Sequence, residues 1–143
     1  MENIMIFRQS GLNLPMSQAF IAILKSVISL SSQNKVNHNG VILNFRDPQY
    51  TAENGGFHPV EIRLIRCNDG WYFDYLTDFS FIGTVWPELE KEMDISWSQG
   101  YVWHYLMGDL EYEEGGTLFE LWQRNFIQYW KMKIYTVSVQ WEY

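Results

Sequence analysis

His58 and Glu61, with Arg46, Asp47, Tyr50 and the Gly55-Gly56 pair shortly before them, are the nearest thing to a reactive constellation in this sequence. An imidazole beside a carboxylate is the equipment of general acid-base chemistry, so a small hydrolase or saccharide-binding enzyme using His58 and Glu61 is one reading. Along a strand, residues three apart point to opposite faces, so the pair can cooperate only if the backbone bends at Pro59. The plainer reading is that Arg46 and Asp47 fix a turn and His58 bonds backbone across it. His38, in an Asn-rich loop, is expected in solvent, and His104 on a sheet face. Neither has a second ligand at metal spacing, so no metal and no cofactor is expected. Phosphate loops, dinucleotide fingerprints, nucleophile elbows and zincin His pairs are absent from the sequence.

Charge is the stronger signal. The 143 residues carry a formal charge of -7. Between Asp69 and Glu120 stand twelve acids and one base, Lys91, a net of -11, whereas the remainder sums to +4. Such a balance argues against generic nucleic-acid binding and anionic membranes, which draw on clustered Lys and Arg. An acid run is usually a solvated face that keeps a protein soluble. Gathered on one surface, it can also steer a basic protein partner. Asp74, Asp78, Glu88, Glu90, Glu92 and Asp94 are the candidate binding residues for that partner, and the loop from Arg46 to Glu61, Tyr50 included, is a second recognition element. A third reading is a nucleic-acid mimic, with carboxylates standing in for phosphates.

The elements that would position these groups follow from periodicity. Met16, Phe20, Ile23, Leu24 and Val27 recur at steps of three and four, predicting a helix from Asn13 to about Leu30, with Asn13 as cap and Pro15 in the first turn. Its other side is mostly small residues (Ser17, Ala22, Ser26, Ser29), so a second subunit could cover it and a homo-oligomer is possible in principle. Val41, Leu43 and Phe45 then alternate as a strand. Val60 to Ile65 and Trp71 to Ile82 are expected to form an antiparallel hairpin around Asn68-Asp69-Gly70. Trp71, Phe73, Tyr75, Phe79 and Phe81 would line its core face, and Asp74, Asp78 and Ser80 the other.

Pro87 to Asp94 reads as a short helix, with proline early and carboxylates near the positive end of the helix dipole. The extended alternative would put Glu88, Glu90, Glu92 and Asp94 on one face, a repulsive arrangement. A second hairpin follows, Ile95 to Trp97 with Tyr101 to Met107. Thr117 and Glu120 form a capping-box pattern that opens a helix to about Trp130. The chain ends in a strand whose Tyr135, Val137, Val139, Trp141 and Tyr143 share a face. This order predicts one α+β domain: an antiparallel sheet with the N-terminal helix and a C-terminal-half helix packed on one face, ending in a strand.

With 47% apolar and 19% charged residues, the chain is neither disordered nor of low complexity. Its 25 Phe, Trp and Tyr residues could line a sugar cleft, but most fall on apolar-period faces and so are expected to pack the core. Cys67, the lone cysteine, excludes an internal disulfide and reads as a small apolar group beside a turn. The longest apolar run, Ala19 to Leu24, is too short for a signal sequence or a membrane span, which makes the cytoplasm the expected location.

The stretch from Asn44 to Ile62, NFRDPQYTAENGGFHPVEI, resembles an uncharacterised bacterial family, domain-of-unknown-function family 2787. The likeness continues through Tyr75 to Phe79, Pro87 to Asp94 and Glu114 to Tyr129. That family has no assigned activity, so the resemblance transfers no catalytic role. It implies a fold similar to the mitochondrial glycoprotein family, acidic multi-ligand binders with an antiparallel sheet and terminal helices. The terminal strand here, Ile134 to Tyr143, departs from that pattern. A non-enzymatic binding protein is the reading these observations favour.

Overall fold

A computed structural model describes residues 5–31, 38–83 and 85–142. Its elements are β1 (Phe7–Arg8), α1 (Gln18–Leu30), β2 (Gly40–Arg46), β3 (Val60–Cys67), β4 (Gly70–Ile82), β5 (Glu88–Ser96), β6 (Tyr101–His104), β7 (Gly108–Asp109), α2 (Tyr112–Lys131) and β8 (Thr136–Glu142). The strands form one sheet in the order β7-β6-β5-β4-β3-β2-β8. All these pairings are antiparallel, and the short β1 adds in parallel beside Trp71 and Tyr72, below the stretch of β4 that β5 occupies. The fold is the expected α+β arrangement, with the terminal strand as predicted.

Both helices bury their apolar stripes against one sheet face. Val41, Leu43 and Phe45 of β2, Val60, Ile62 and Leu64 of β3, and Trp71, Phe73 and Leu76 of β4 meet Phe20, Leu24, Phe119 and Phe126 in the core. Aromatic edges make much of that contact. The Phe20 ring stands edge-on to Phe119, Trp122 and Phe126, and Phe45 is edge-on to Phe126, a geometry that ring quadrupoles favour. Phe20, Phe45, Trp71, Phe73, Trp97, Phe119 and Phe126 are the buried aromatics among the described residues. His38, expected in solvent, is buried against Trp141, and Cys67 is exposed at the end of β3. Tyr143 and residues 32–37 of the predicted loop lie outside the described residues.

Four boundaries differ from the sequence expectation, each for a tertiary reason. Helix α1 begins at Gln18 with Ser17 as cap, not at Asn13. The backbone of Leu14, Pro15 and Ser17 is held extended instead by the side-chain amides of Gln9 and Gln123, at 2.7 to 2.9 Å. Helix α2 begins at Tyr112, five residues before the Thr117 capping box. Gly115 and Gly116, which weaken a helix locally, are buried there because a strand and Pro15 approach them closely.

The other two corrections concern the sheet. The segment predicted as a helix over Pro87 to Asp94 is β5, because β4 runs on to Ile82 and its edge needs a partner for its backbone groups. In β4 the register slips at Asp74, where Arg63 faces Tyr75 and Leu64 faces Phe73. This bulge reverses the alternation. Trp71 and Phe73 face the helices as expected, but beyond the bulge Leu76, Asp78 and Ser80 do so, and Tyr75, Phe79 and Phe81 turn to the opposite face.

An added Cβ at Gly115 would lie 3.0 Å from the side chain of Val102, a stiff β-branched residue in the sheet. Gly115→Ala gains about 1 kcal/mol of helix propensity but overpacks the site at a cost of about 1–3 kcal/mol. Urea denaturation should therefore show a net loss, and the loss should shrink in a Val102→Ala background, which removes the γ-methyl contacts at 3.0 and 3.4 Å and keeps only that to Cβ.

Candidate functional site

The reversed phase of β4 carries Asp78 beneath α2, where a lone carboxylate would be costly. Its side chain is only 11% exposed. Oδ1 accepts a hydrogen bond from His58 Nδ1 at 2.8 Å, and Oδ2 accepts one from the Trp122 indole N–H at 2.9 Å. The same imidazole nitrogen lies 3.1 Å from Glu92 Oε2, and Ser80 donates to the other Glu92 oxygen at 3.3 Å. Ionised carboxylates only accept, so an Nδ1 shared between two of them carries a proton. The two adjacent negative charges favour protonation of the other ring nitrogen as well, which gives an imidazolium clamped by two acids.

The hydrogen bond to Asp78, reinforced by that to Glu92, raises His58 from its ordinary 6.5 to about 10, against the opposing effect of burial. His58 in turn holds the Glu92 carboxyl below its usual range. Gly56, Phe57, His58, Asp78, Glu92, Trp122, Tyr129 and Tyr135 contribute to a cavity of about 210 Å³. Burial pushes the Tyr135 phenol upward, so this wall is a neutral hydroxyl at all physiological pH.

Local structure explains how a loop delivers His58 so accurately. The Pro59 carbonyl accepts from Phe79 N at 2.9 Å, stapling the extended segment onto β4 next to Asp78. Upstream, Asp47 accepts from the backbone of Gln49 at 2.9 Å and of Phe57 at 3.1 Å, tying the two ends of the loop. Gly56 has φ +135°, with Asp47 Oδ2 and the Tyr50 Cα where a side chain would begin, so only glycine fits. Tyr50 sits beside the part of β4 that β3 does not reach. Its hydroxyl accepts from Phe81 N at 2.9 Å, and its ring packs on Phe81 and His58.

The site therefore differs from the His58 and Glu61 pair expected from spacing. Glu61 lies on the opposite sheet face, where its carboxylate accepts from the Tyr75 hydroxyl. Without a bend at Pro59, the alternation that argued against the pair wins. Asp74 binds Arg63 at 2.6 Å, and Asp94, on the helix-free face, accepts from Thr77 and Tyr101. Arg46 is exposed at the end of β2. Glu88 and Glu90 are exposed on β5, away from the cavity. The sequence-predicted residues that do converge are Asp47, Tyr50, His58, Asp78 and Glu92. Trp122, Tyr129 and Tyr135 were missed, since on the sequence they read as ordinary members of apolar stripes.

The family model described as a protein of unknown function (DUF2787) matches residues 18–140. The chain belongs to this family. Two solved structures are close in fold. The hypothetical protein VC0508 from the Vibrio cholerae VSP-II pathogenicity island is 29% identical with a TM-score of 0.82, over 94% of this chain and 99% of that one. The conserved hypothetical protein VC1805, from pathogenicity island VPI-2 of Vibrio cholerae O1 biovar eltor, is 34% identical with a TM-score of 0.80, over 94% and 100%. VC1805 is described as sharing structural homology with the human P32 protein, in line with the mitochondrial glycoprotein resemblance. Curated proteins give no match. Among the described residues, no helix is long and apolar enough to cross a membrane.

His58 should still be protonated at pH 8 and titrate near pH 10 when its ring is followed by NMR. Because its folded value lies above the unfolded 6.5, its contribution to stability is complete below pH 6.5 and disappears as pH rises toward 10. Asp78→Asn, which keeps an acceptor for Trp122, should lower the His58 midpoint and flatten this decline in stability.

Proposed function

We propose that this chain is a non-enzymatic, cytoplasmic binding protein that presents an acidic strand edge to a basic, extended segment of a protein partner. The observation that carries this reading is the first half of β5. β6 pairs only with Met93 to Ser96, so Glu88 to Lys91 have a strand partner on the β4 side alone among the described residues. An edge of this kind is a template for strand addition.

The edge has charge and apolar anchors together. Glu88 and Glu90 are exposed and form no ion pair among the described residues. Next to them in sequence or across the turn after β6 lie exposed Trp86, Leu89, Leu106 and Met107, with Trp86 85% exposed. Tyr105 N bonds the Glu92 carbonyl, which brings that turn to the same end of β5. Alternate Lys or Arg side chains on an added strand would meet Glu88 and Glu90, and apolar side chains between them would meet Leu89.

The acidic half of the sequence is thus not a uniform face. Asp69, Asp74, Asp78, Glu92 and Asp94 each lie within 4 Å of a cation. A nucleic-acid mimic needs a regular row of unneutralised acids, and this pairing disfavours it. The fold shared with VC1805 is in keeping with the binding role that the mitochondrial glycoprotein resemblance implied.

A synthetic peptide of alternating Lys and Val should bind, with NMR shifts centred on Glu88 to Lys91. Glu88→Lys with Glu90→Lys should weaken it about tenfold or more, and raising salt should do the same, since the charges are exposed to screening. Binding unchanged by both, or shifts mapped elsewhere, would remove this reading.

A further inference from the structure

The place between His58, Asp78 and Glu92 suits a second occupant besides a proton. One ligand atom from each residue lies within 4.8 Å of the other two, the one such His and carboxylate group among the described residues. A first-row divalent cation bonds imidazole nitrogen and carboxylate oxygen at about 2.0–2.2 Å, so two ligands at right angles stand about 3.0 Å apart. Nδ1 is 2.8 Å from Asp78 Oδ1 and 3.1 Å from Glu92 Oε2. Two of the three edges thus have the length of a coordination polyhedron's edge as much as of a hydrogen bond, and the carboxylates stand within 4.8 Å of each other.

The surroundings hold the donors as ligands are held. Metal-binding carboxylates are oriented through their other oxygen by outer partners. Here Trp122 Nε1 holds Asp78 Oδ2 at 2.9 Å, and Ser80 Oγ holds Glu92 Oε1 at 3.3 Å. The Pro59 staple and the Tyr50 ring fix His58. Two carboxylates and a neutral imidazole balance a dication, whereas with an imidazolium the group is left with a net negative charge.

We infer that His58 Nδ1, Asp78 Oδ1 and Glu92 Oε2 form a binding site for one first-row divalent cation. On binding, the cation takes the place of the Nδ1 proton, which leaves to solvent. The nitrogen donor disfavours Mg²⁺ and Ca²⁺, and the absence of sulfur from the donor set disfavours Cu⁺, leaving the first-row divalent ions from Mn²⁺ to Zn²⁺, Co²⁺ among them. Three protein ligands leave coordination positions open, and the cavity of about 210 Å³ bordered by the same residues gives them room for water or a small oxygen ligand. This site is on the helix side of the sheet and does not depend on the partner-binding edge.

Isothermal titration of the chelator-treated full chain with Zn²⁺, and visible spectra with Co²⁺, test the inference. One equivalent should bind. His58→Ala and Glu92→Gln should each weaken binding at least about tenfold, and Trp122→Phe, which removes only the outer donor, about tenfold. Glu88→Gln with Glu90→Gln should change nothing. Glu92→Gln keeps size and sits at the half-exposed end of the site, so it reports even where His58→Ala fails to fold. No binding up to about 1 mM Zn²⁺, or binding of several equivalents that survives Glu92→Gln, would overturn the site in favour of adventitious surface acids.

Discussion

Asp78 is a carboxylate placed under a helix layer, and much of the molecule is arranged to keep it there. An unpaired buried charge costs several kcal/mol, and removing one partner of such a pair is correspondingly damaging. Asp78 spends both oxygens, one on His58 and one on the Trp122 indole. Satisfying it requires the loop from Asp47 to Pro59 to close on β4 and requires α2 to start early enough, and run far enough, for Trp122 to reach the sheet. The Asp47 hydrogen bonds, the tight approach at Gly56 and the Tyr50 hydroxyl on Phe81 are the means of that closure.

Two sheet irregularities sort the acids. The bulge at Asp74 turns Asp78 and Ser80 toward the helices, and a second register shift, between Asp78 and Phe79 against Met93 and Lys91, inserts Glu92 as the extra residue of β5. Glu92 consequently reaches His58, while Asp94 falls on the opposite face with Thr77 and Tyr101. The repulsion that argued against an extended Glu88 to Asp94 segment is relieved by this division. Glu88 and Glu90 remain with the open edge, Glu92 is neutralised by an imidazolium, and Asp94 takes two hydroxyl donors.

The same division separates the two candidate activities. Exposed acids at the edge are weak individually and act on approach and orientation of a cationic partner. The clamped acids beside the cavity are already partly desolvated and cannot serve that purpose, but they are held in the way a first-row divalent cation requires. A sum over the acidic half of the sequence does not distinguish these populations.

Much of this was legible before folding. The alternation of Val41, Leu43 and Phe45, the stripe through Phe20, Leu24 and Val27, the hairpin turn at Asn68-Asp69 and the final strand determined the α+β class, because burying apolar side chains at periods of two and 3.6 leaves few arrangements. The strong negative charge and the special loop around His58 were also visible. What only the tertiary structure decided was phase and partnership. A bulge adds one residue with no mark in the sequence, yet it inverts which face every later side chain occupies. Hence Asp78, read as outward, became the buried centre of the site. Glu61 went to the other side by the plain alternation of its own strand, as the spacing of three from His58 had argued. The helix expected at Pro87 gave way to a strand because β4 offered unpaired backbone there, a demand set by distant residues that local propensity does not record.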